Sequence, residues 1–353
     1  MTDRAHYEVV VVGGGPGGLT TGLYTTRLGH RTAVFEREGG RHDAVENIHN
    51  LPGVSEDVSG SRLAALGVSQ LDEYGADFFP DSVRAVERAG ADERGRFRVE
   101  AAHGTVLADR VVFATGFTDR NPDIPELERY VGRGLHYCLH CDAYTLGDGD
   151  VFVLGHADHA ARVAMLMLNF TDAVTLLTDA ETPTWSAETA ERLAAHPLDR
   201  IDAEVVSAFP EDPDAEEPWL GGLAFADGRE REFLGGFAVY GREYNASLPA
   251  ELGCELREDG AVAVDDRGET SVDGVYAVGD VTHGQNQTPI AIGDGARAGI
   301  ALHKDLRTYP LSIEEIEADD APAERRVPAA PAELRARMRR DREQTDHAGL
   351  DER

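Results

Sequence analysis

The pattern of apolar and polar stretches at the start of the chain predicts a strand, a glycine turn, a helix and a second strand. The segment from Tyr7 to Glu36 opens with the apolar run VVVV, passes through GGGPGG and ends in the apolar run TAVF. Continuous apolar runs of this length are typical of strands buried in a parallel sheet. Gly13, Gly15 and Gly18 stand at the first strand-to-helix junction, and Glu36 closes the second strand.

This glycine spacing, G-x-G-x-x-G, predicts a dinucleotide site. Gly13 permits a tight turn, Gly15 lets the backbone approach a pyrophosphate, and Gly18 lets the helix pack on the strand. The helix N-terminus adds partial positive charge, and an acid about twenty residues further on suits a ribose hydroxyl. A flexible turn is the alternative, but the strand, the helix and Glu36 all occur in register.

A second strand–helix–strand pattern lies further along the chain and is predicted to interrupt the first. A buried strand ends at Ala114-Thr115-Gly116, and a proline-punctuated stretch leads away from it. The second pattern consists of a strand at Val151–Leu154, a GHADHA turn, a helix at 162–170 and a strand at 173–179. A strand at 274–280 and a helix at 293–306 then complete the first domain.

The predicted fold class is therefore α/β, with two Rossmann-like three-layer nucleotide-binding domains and the second inserted into the first. The first domain comprises residues 1–122 and 248–310, and the inserted domain comprises residues 123–247. Residues 311–353 form a charged tail with one short helix at 331–342, which we expect to be a solvated appendage.

The charge balance excludes two classes of partner. Asp and Glu number 65 against 34 Lys and Arg, which gives a formal net charge of -31, and Lys304 is the single lysine. Such a surface repels nucleic acid and anionic membranes. A face for a basic partner is one interpretation, but the acids are spread along the whole chain. We favour adaptation to a salt-rich cytoplasm, where the Debye length falls to about 3 Å at 1 M salt.

No secretory signal or membrane span is visible, so a cytoplasmic location is expected.

Two of the three cysteines lie in the stretch YCLHCDAY as the pair Cys138 and Cys141. In a reducing compartment such a pair is catalytic or metal-binding more often than structural. Two cysteines at a helix start can form a small disulfide, and the amide dipoles there stabilise a thiolate. Zinc would need two further ligands, for which the chain offers nitrogens of His136, His140 and His49. Idle thiols are the third interpretation, and the lone Cys254 is expected to be a buried spectator.

Together these segments resemble the low-molecular-weight thioredoxin reductase family, a class of flavin-dependent pyridine nucleotide-disulfide oxidoreductases, in its haloarchaeal type. The likeness covers about residues 7–306, and it rests on the order and spacing of several motifs. These are GGGPGG with Glu36, Asn50-Leu51-Pro52-Gly53, Ala114-Thr115-Gly116, Cys138-x-x-Cys141-Asp142, and VYAVGDV with NQTPIAIGDGA through Asp280, Gln287 and Gly293-Asp294-Gly295.

The resemblance implies that the first domain binds FAD and that the protein is a homodimer. The Gly13 loop would bind the pyrophosphate, Glu36 the adenosine ribose, Asp280 the ribitol and pyrophosphate region, and Gln287 with the following helix end the isoalloxazine. The cofactor-binding residues implied in this way are Gly13, Gly15, Pro16, Gly18, Glu36, Asn50, Thr115, Gly116, Gly279, Asp280, Gln287 and Thr288.

The resemblance also implies roles for the dithiol segment. Cys141 would face the flavin, Cys138 would exchange with the substrate disulfide, and Asp142 would protonate the leaving thiolate, which calls for a buried acid. His140 departs from the family pattern. As a cation it would stabilise the thiolate and make the pair a stronger oxidant, and the alternative is a solvent-facing spacer. His49 could approach the flavin or the dithiol, or it is a surface loop residue.

The inserted domain departs from a nicotinamide site. In GHADHA, Ala157 stands where the backbone must touch a pyrophosphate, and Asp179 would repel the 2′-phosphate of NADPH. NADPH is therefore disfavoured, while NADH stays open because Asp179 can accept a ribose hydroxyl.

The function predicted is an FAD-dependent disulfide oxidoreductase that exchanges electrons between the flavin, Cys138/Cys141 and thioredoxin or a similar dithiol partner. Two alternatives stay open, since local features are also similar to flavin dithiol oxidases that use oxygen and to relatives that take electrons from ferredoxin. A flavin-bound redox sensor ranks last, because Asp142 has no use in one.

Overall fold

The polypeptide forms two units, and the second is inserted into the first. The structure, a computed structural model, describes residues 4–37, 39–91, 93, 95–307, 313–314 and 330–345. The first unit is built from Met1–Gly40, Leu63–Gly116 and Ala246–Arg353, and the second from Arg41–Arg62 and Phe117–Asn245. The predicted α/β fold class with two Rossmann-like domains is confirmed. The segment Arg41–Arg62 clusters with the second unit although it precedes most of the first along the chain.

The strands and helices follow in chain order. The strands are β1 His6–Val12, β2 Thr32–Glu36, β3 Asp77–Pro80, β4 Val83–Arg88, β5 Phe97–Ala101, β6 Thr105–Phe113, β7 Phe117–Asp119, β8 Leu135–His136, β9 Val151–Leu154, β10 Val174–Leu177, β11 Asp199–Ile201, β12 Val205–Pro210, β13 Leu220–Phe225, β14 Glu230–Glu232, β15 Gly235–Ala238, β16 Arg242–Tyr244 and β17 Val275–Ala277. The helices are α1 Pro16–Arg27, α2 Gly40–Asp43, α3 Gly60–Tyr74, α4 Leu139–Asp142, α5 Asp158–Met167, α6 Ala187–Ala195, α7 Ser247–Glu251, α8 Thr288–Leu306 and α9 Ala332–Thr345.

The first unit is organised around one sheet with the strand order β3-β2-β1-β6-β5-β4, in which β17 also pairs with β6. β1 is parallel to β2 and to β6, and β17 is parallel to β6. Parallel strands end at one edge of a sheet, so the turns after β1, β2, β6 and β17 share that edge. The strands are apolar because they are buried: the side chains of Val9, Val11, Val34 and Val112 are all fully enclosed in the core.

The second unit has a five-stranded parallel sheet in the order β11-β10-β9-β15-β8. A three-stranded antiparallel sheet, β12-β13-β14, and a two-stranded ribbon, β16-β7, complete it. Phe152, Leu154 and Leu177 come from the parallel strands, and Leu223 comes from β13; all four are fully buried in one cluster. β8 is the edge strand of the parallel sheet, and the cysteine pair follows it directly.

Two helices begin earlier than the sequence pattern predicts. α5 begins at Asp158, inside the GHADHA stretch that was predicted as a turn, and α8 begins at Thr288 instead of Gly293. In α8 the glycines allow close packing, since a Cβ on Gly295 would lie 2.2 Å from the carbonyl oxygen of Gly17 in α1. No helix in the described part of the chain is both long and apolar enough to cross a membrane.

The last helix differs from the expectation of a solvated tail. α9 lies against the first unit, because Leu334 approaches Gly29 and the guanidinium of Arg337 approaches Gly75. Both glycines have positive φ angles and leave room for these side chains. The rest of the predicted tail falls largely outside the described residues.

Candidate active site

The glycine turn after β1 has the geometry that the sequence predicts. Gly13 has a φ of 112°, and a Cβ there would lie 2.2 Å from the carbonyl oxygen of Ala114. A Cβ on Gly18 would lie 1.9 Å from the carbonyl oxygen of Gly13. Gly15 is different, because a Cβ on it would meet no protein atom within 4 Å. Gly13 and Gly18 therefore serve packing, whereas Gly15 leaves open space above the helix N-terminus.

The first unit fits the pyrophosphate of a dinucleotide. Gly15 is the N-cap of α1 and Gln287 is the N-cap of α8; neither helix has a capping side chain or an acid in its first turn. Backbone N–H groups at such helix starts bind anions. The two starts lie close together, because a Cβ on Gly17 would be 3.1 Å from the carbonyl oxygen of Ala291 and 3.6 Å from Cα of Gly279.

The acids around this turn are held by the backbone. The carboxylate of Glu36 accepts hydrogen bonds from the Gly14 and Arg37 amides. Asp280 lies in a 3₁₀ turn, Gly279–Val281, and its Cβ is 4.0 Å from the position that a Cβ on Gly116 would take. A cleft of about 250 Å³ opens beside this turn. Its lining includes Asp280, Gln285, Asn286 and Asp294.

Asp294 in α8 is electrostatically coupled to this region. Burial raises the pKa of its carboxyl group, and the charge of Asp280 raises it further, while Arg297 and the Gly279 backbone oppose the shift.

The first unit contains all but one of the predicted cofactor residues. These are Gly13, Gly15, Pro16, Gly18, Glu36, Thr115, Gly116, Gly279, Asp280, Gln287 and Thr288. Their contacts with a cofactor stay predictions.

The cysteine pair forms a disulfide in the second unit. Cys138 and Cys141 are bonded, with their Cα atoms 5.3 Å apart. Cys138 is the N-cap of the short helix α4, and its carbonyl oxygen accepts the amides of Cys141 and Asp142 at 3.1 and 3.2 Å. This turn brings the two sulfurs together and places the Asp142 carboxylate directly after the second one.

Asp142 has a partner that the sequence analysis did not assign. Its Oδ1 lies 3.3 Å from Nδ1 of His136, at the end of β8, and its side chain is 20% exposed. The acid is therefore less enclosed than expected, and its carboxylate contacts the His136 ring. The sequence analysis considered His136 only as a nitrogen donor for zinc. The one sequence feature that links His136 to the dithiol is its position two residues before Cys138.

The other candidate residues of the second unit surround α4. His140 is exposed, as a solvent-facing spacer would be, and its carbonyl oxygen accepts a hydrogen bond from Nδ2 of Asn50 at 2.9 Å. Asn50, predicted to contact the cofactor, thus supports the dithiol helix. His49 lies 3.6 Å from Glu56. Among the residues that the structure describes, no three His, Cys, Asp or Glu side chains form a metal-binding group.

The second glycine turn differs from the first in the residues at its helix start, Ala157 and Asp158. Gly155 has a φ of 151°, and Ala157 is the N-cap of α5. The carboxylate of Asp158 accepts hydrogen bonds from Ser186 and Thr189, and the Thr189 hydroxyl is the main cause that lowers the pKa of Asp158.

Three further groups lie at the same edge of the second sheet. Oδ1 of Asp179 accepts the amide of Val205 at 2.7 Å, and burial raises the pKa of the Asp179 carboxyl. Nδ1 of His156 and the Tyr240 hydroxyl are buried without a hydrogen-bond partner among the described residues. This edge therefore offers polar groups but no open glycine turn.

Comparisons with known proteins agree with this geometry. The family described as pyridine nucleotide-disulphide oxidoreductase matches residues 7–295. An NADH dehydrogenase of Bacillus subtilis (strain 168) is 31% identical, and a component of the alkyl hydroperoxide reductase of Escherichia coli (strain K12) is 29% identical. Each match extends over 309 residues, 85% of this chain and 58% of the relative, so the chain spans little more than half of the length of these relatives.

A solved structure shows the same fold over nearly its full length. The crystal structure of thioredoxin reductase from Streptococcus pyogenes MGAS5005 superposes with a TM-score of 0.78 at 26% identity, covering 86% of this chain and 99% of that one. The family match covers both units, including the first glycine turn and the disulfide helix. The chain belongs to the pyridine nucleotide-disulphide oxidoreductase family.

Proposed function

We propose that the chain is a thioredoxin reductase-like disulfide oxidoreductase, in which electrons pass between FAD, the Cys138–Cys141 disulfide and a thioredoxin-like protein. One observation carries the proposal: the cysteine pair is a closed disulfide at the start of a helix turn that ends in the carboxylate of Asp142. The similarity to a thioredoxin reductase structure over 99% of its chain supports the class of partner.

The first unit would hold the cofactor. The amides at the starts of α1 and α8 would bind the pyrophosphate, with Gly15 leaving the approach open, and Glu36 and Asp280 would accept hydrogen bonds from hydroxyl groups. When bound and reduced by the electron donor, the flavin would supply the two electrons that open the Cys138–Cys141 disulfide.

The side chains of the second unit would then carry out thiol–disulfide exchange. The Cys138 thiolate attacks one sulfur of the partner's disulfide, a mixed disulfide forms, and the partner's other sulfur leaves as a thiolate. Asp142 gives a proton to that thiolate and regains one from solvent, which also receives the proton of the Cys138 thiol. Cys141 next attacks Sγ of Cys138 and releases the second partner sulfur, which takes the Cys141 proton. One dithiol is oxidised and one disulfide is reduced.

For the electron donor we propose NADH in preference to NADPH. The family uses a pyridine nucleotide by its description, and one curated relative is named an NADH dehydrogenase. At the end of β10, Asp179 and the nearby Glu181 place negative charge where the 2′-phosphate of NADPH would be expected.

The proposal is tested with Cys138→Ser and Cys141→Ser variants. We expect each to lose at least about a thousandfold in the rate of thioredoxin reduction, because no disulfide can form, while the flavin absorbance of the purified protein is retained. Turnover is measured with NADH and with dithionite as donors. Cys254→Ser is the matched control, because Cys254 is buried and contacts Thr270 in the first unit. Full activity of both serine variants would refute the mechanism.

A further inference from the structure

We propose that His136 is a positioning residue that orients Asp142 and stabilises the carboxylate left when Asp142 gives its proton to the leaving thiolate. This inference rests on the proposed function, because it concerns the acid that would protonate the leaving thiolate. It starts from a contact between two elements: His136 ends β8, Asp142 ends α4, and the disulfide lies between them along the chain.

The His136 ring has one polar neighbour and otherwise apolar surroundings. The residue is 7% exposed, and its ring centroid lies 6.2 Å from that of Trp219 and 6.1 Å from that of Phe237. Nδ1 lies 3.3 Å from Oδ1 of Asp142, whereas Nε2 is buried with no hydrogen-bond partner in the described part of the chain. Only Nδ1 can therefore act on another group.

This asymmetry selects one tautomer. A hydrogen on Nε2 would be a buried donor without an acceptor, which is unfavourable. A neutral ring with its hydrogen on Nδ1 instead directs that hydrogen toward the Asp142 carboxylate, 3.3 Å away, and leaves only a lone pair on Nε2. His136 thus stabilises the carboxylate that remains after Asp142 has given its proton to the leaving thiolate. It also fixes the direction in which the second carboxylate oxygen points.

The neighbouring groups leave this task to His136. The His140 side chain on α4 is exposed, and Trp219 and Phe237 contribute aromatic surface. Within the described residues, Asp142 is the one acid whose carboxylate contacts His136. The imidazole acts on the sulfur chemistry through the carboxylate, so its influence should depend on whether the leaving thiolate needs a proton.

That dependence defines the experiment. The prereduced, FAD-loaded protein is mixed anaerobically at neutral pH with one of two small disulfides, and loss of the Cys138 and Cys141 thiols is followed by rapid quenching. Hydroxyethyl disulfide releases a basic alkyl thiolate that must be protonated. Dithiobis(nitrobenzoate) releases an aromatic thiolate that is stable without a proton. The variants are His136→Phe, which keeps a ring, and His136→Asn, whose amide N–H can replace the donor at Nδ1.

We expect His136→Phe to slow exchange with hydroxyethyl disulfide by about tenfold to a hundredfold, and exchange with the aromatic disulfide by less than about twofold. His136→Asn should stay within about threefold of wild type with both probes. In an Asp142→Asn background, His136→Phe should cause no further slowing, because it acts through the missing carboxylate.

His6→Phe is the matched control. His6 pairs with Asp109 at 2.9 Å and is the first residue of β1, at the end of that strand away from the glycine turn, so its loss should change neither rate. Equal slowing of both probes by His136→Phe, or additive slowing on top of Asp142→Asn, would overturn the inference. The proposed function would instead be overturned by a wild-type protein that exchanges with neither probe. Exchange that persists after Cys138→Ser would overturn it too.

Discussion

The two strand–turn–helix junctions of this chain share a backbone design and differ in chemistry. The N-cap residue of the first helix, α1, is Gly15, and that of the corresponding helix in the second unit, α5, is Ala157. Open space lies above Gly15, whereas Ala157 already carries a methyl group. No acid stands in the first turn of α1, but α5 begins with Asp158. The first turn is therefore suited to an anion, whereas the second carries a methyl group and an acid that accepts hydrogen bonds from Ser186 and Thr189.

The acids at the end of β2 and just after β10, Glu36 and Asp179, show the same contrast. The carboxylate of Glu36 accepts a hydrogen bond from the amide of Gly14, which lies in the glycine turn. The carboxylate of Asp179 instead accepts a hydrogen bond from the amide of Val205, the first residue of β12. A fold can thus keep the shape of a nucleotide junction while its polar groups are reassigned to internal contacts. Substitutions at three of these positions, Gly15, Ala157 and Asp179, test how far that reassignment goes.

The largest effect is expected for Gly15→Ala. The added methyl would occupy the approach of the pyrophosphate and lower the affinity for FAD by about tenfold to a hundredfold. Because a Cβ there meets no protein atom, the stability of the apoprotein should change by less than about 1 kcal/mol. Flavin titration and thermal unfolding measure the two quantities. Gly104→Ala is the control, since that site is equally open. Unchanged FAD affinity in Gly15→Ala would place the pyrophosphate elsewhere.

A smaller effect in the opposite direction is expected for Ala157→Gly. Removing the methyl makes the second turn more like the first, so the KM for NADH should fall by about threefold to tenfold. The measurement is the rate of anaerobic flavin reduction at increasing NADH. Ala246→Gly, at the N-cap of α7, controls for the loss of an alanine at a helix start. A KM that rises or stays constant would mean that the second turn does not contact the nucleotide.

The smallest effect is expected for Asp179→Asn, and it depends on pH. Burial raises the pKa of this carboxyl above its ordinary value of 3.8, so the folded protein binds the proton more tightly than the unfolded chain does. The carboxylate therefore costs stability at neutral pH, and this cost disappears as the pH falls through the raised pKa towards 3.8.

The asparagine variant should accordingly melt on the order of 1 °C higher at neutral pH and lose that gain in acid. Asn also tolerates the left-handed backbone of Asp179, whose φ is 52°. Asp148→Asn separates the two causes, because Asp148 has a φ of 63° and is exposed. A gain for Asp179→Asn that is the same in acid as at neutral pH would show that the backbone alone is responsible.

The sequence predicted the first junction well because its determinants are local. Gly13, Gly15 and Gly18 act on their own turn, and their spacing is visible without any knowledge of the fold. Helix starts were less predictable where a residue works over a distance. The predicted start of α8 was five residues late, and the role of Gly295 inside that helix is to pack against α1, a contact between residues far apart in the chain.

The surroundings of the dithiol could not be predicted for the same reason. The spacing of Cys138, Cys141 and Asp142 is local, whereas the pair between His136 and Asp142 depends on how β8 directs the chain into α4. The contact from Asn50 comes from a segment about ninety residues earlier, and no periodicity records it. The cytoplasmic location, the homodimer and the salt-rich habitat stay predictions.

The approach of Gly17 to Gly279 and Ala291 has a consequence for biosynthesis. The glycine turn leaves the ribosome before the second unit, but the residues that close it are translated only after that unit. Loop-closure entropy makes such distant contacts slow to form. The nascent chain must therefore keep an incomplete sheet, with the β6 edge awaiting β17, until the second unit and β17 have been translated. Cofactor capture is then a late event in the life of each molecule, and the free edge before it is the stage most exposed to aggregation.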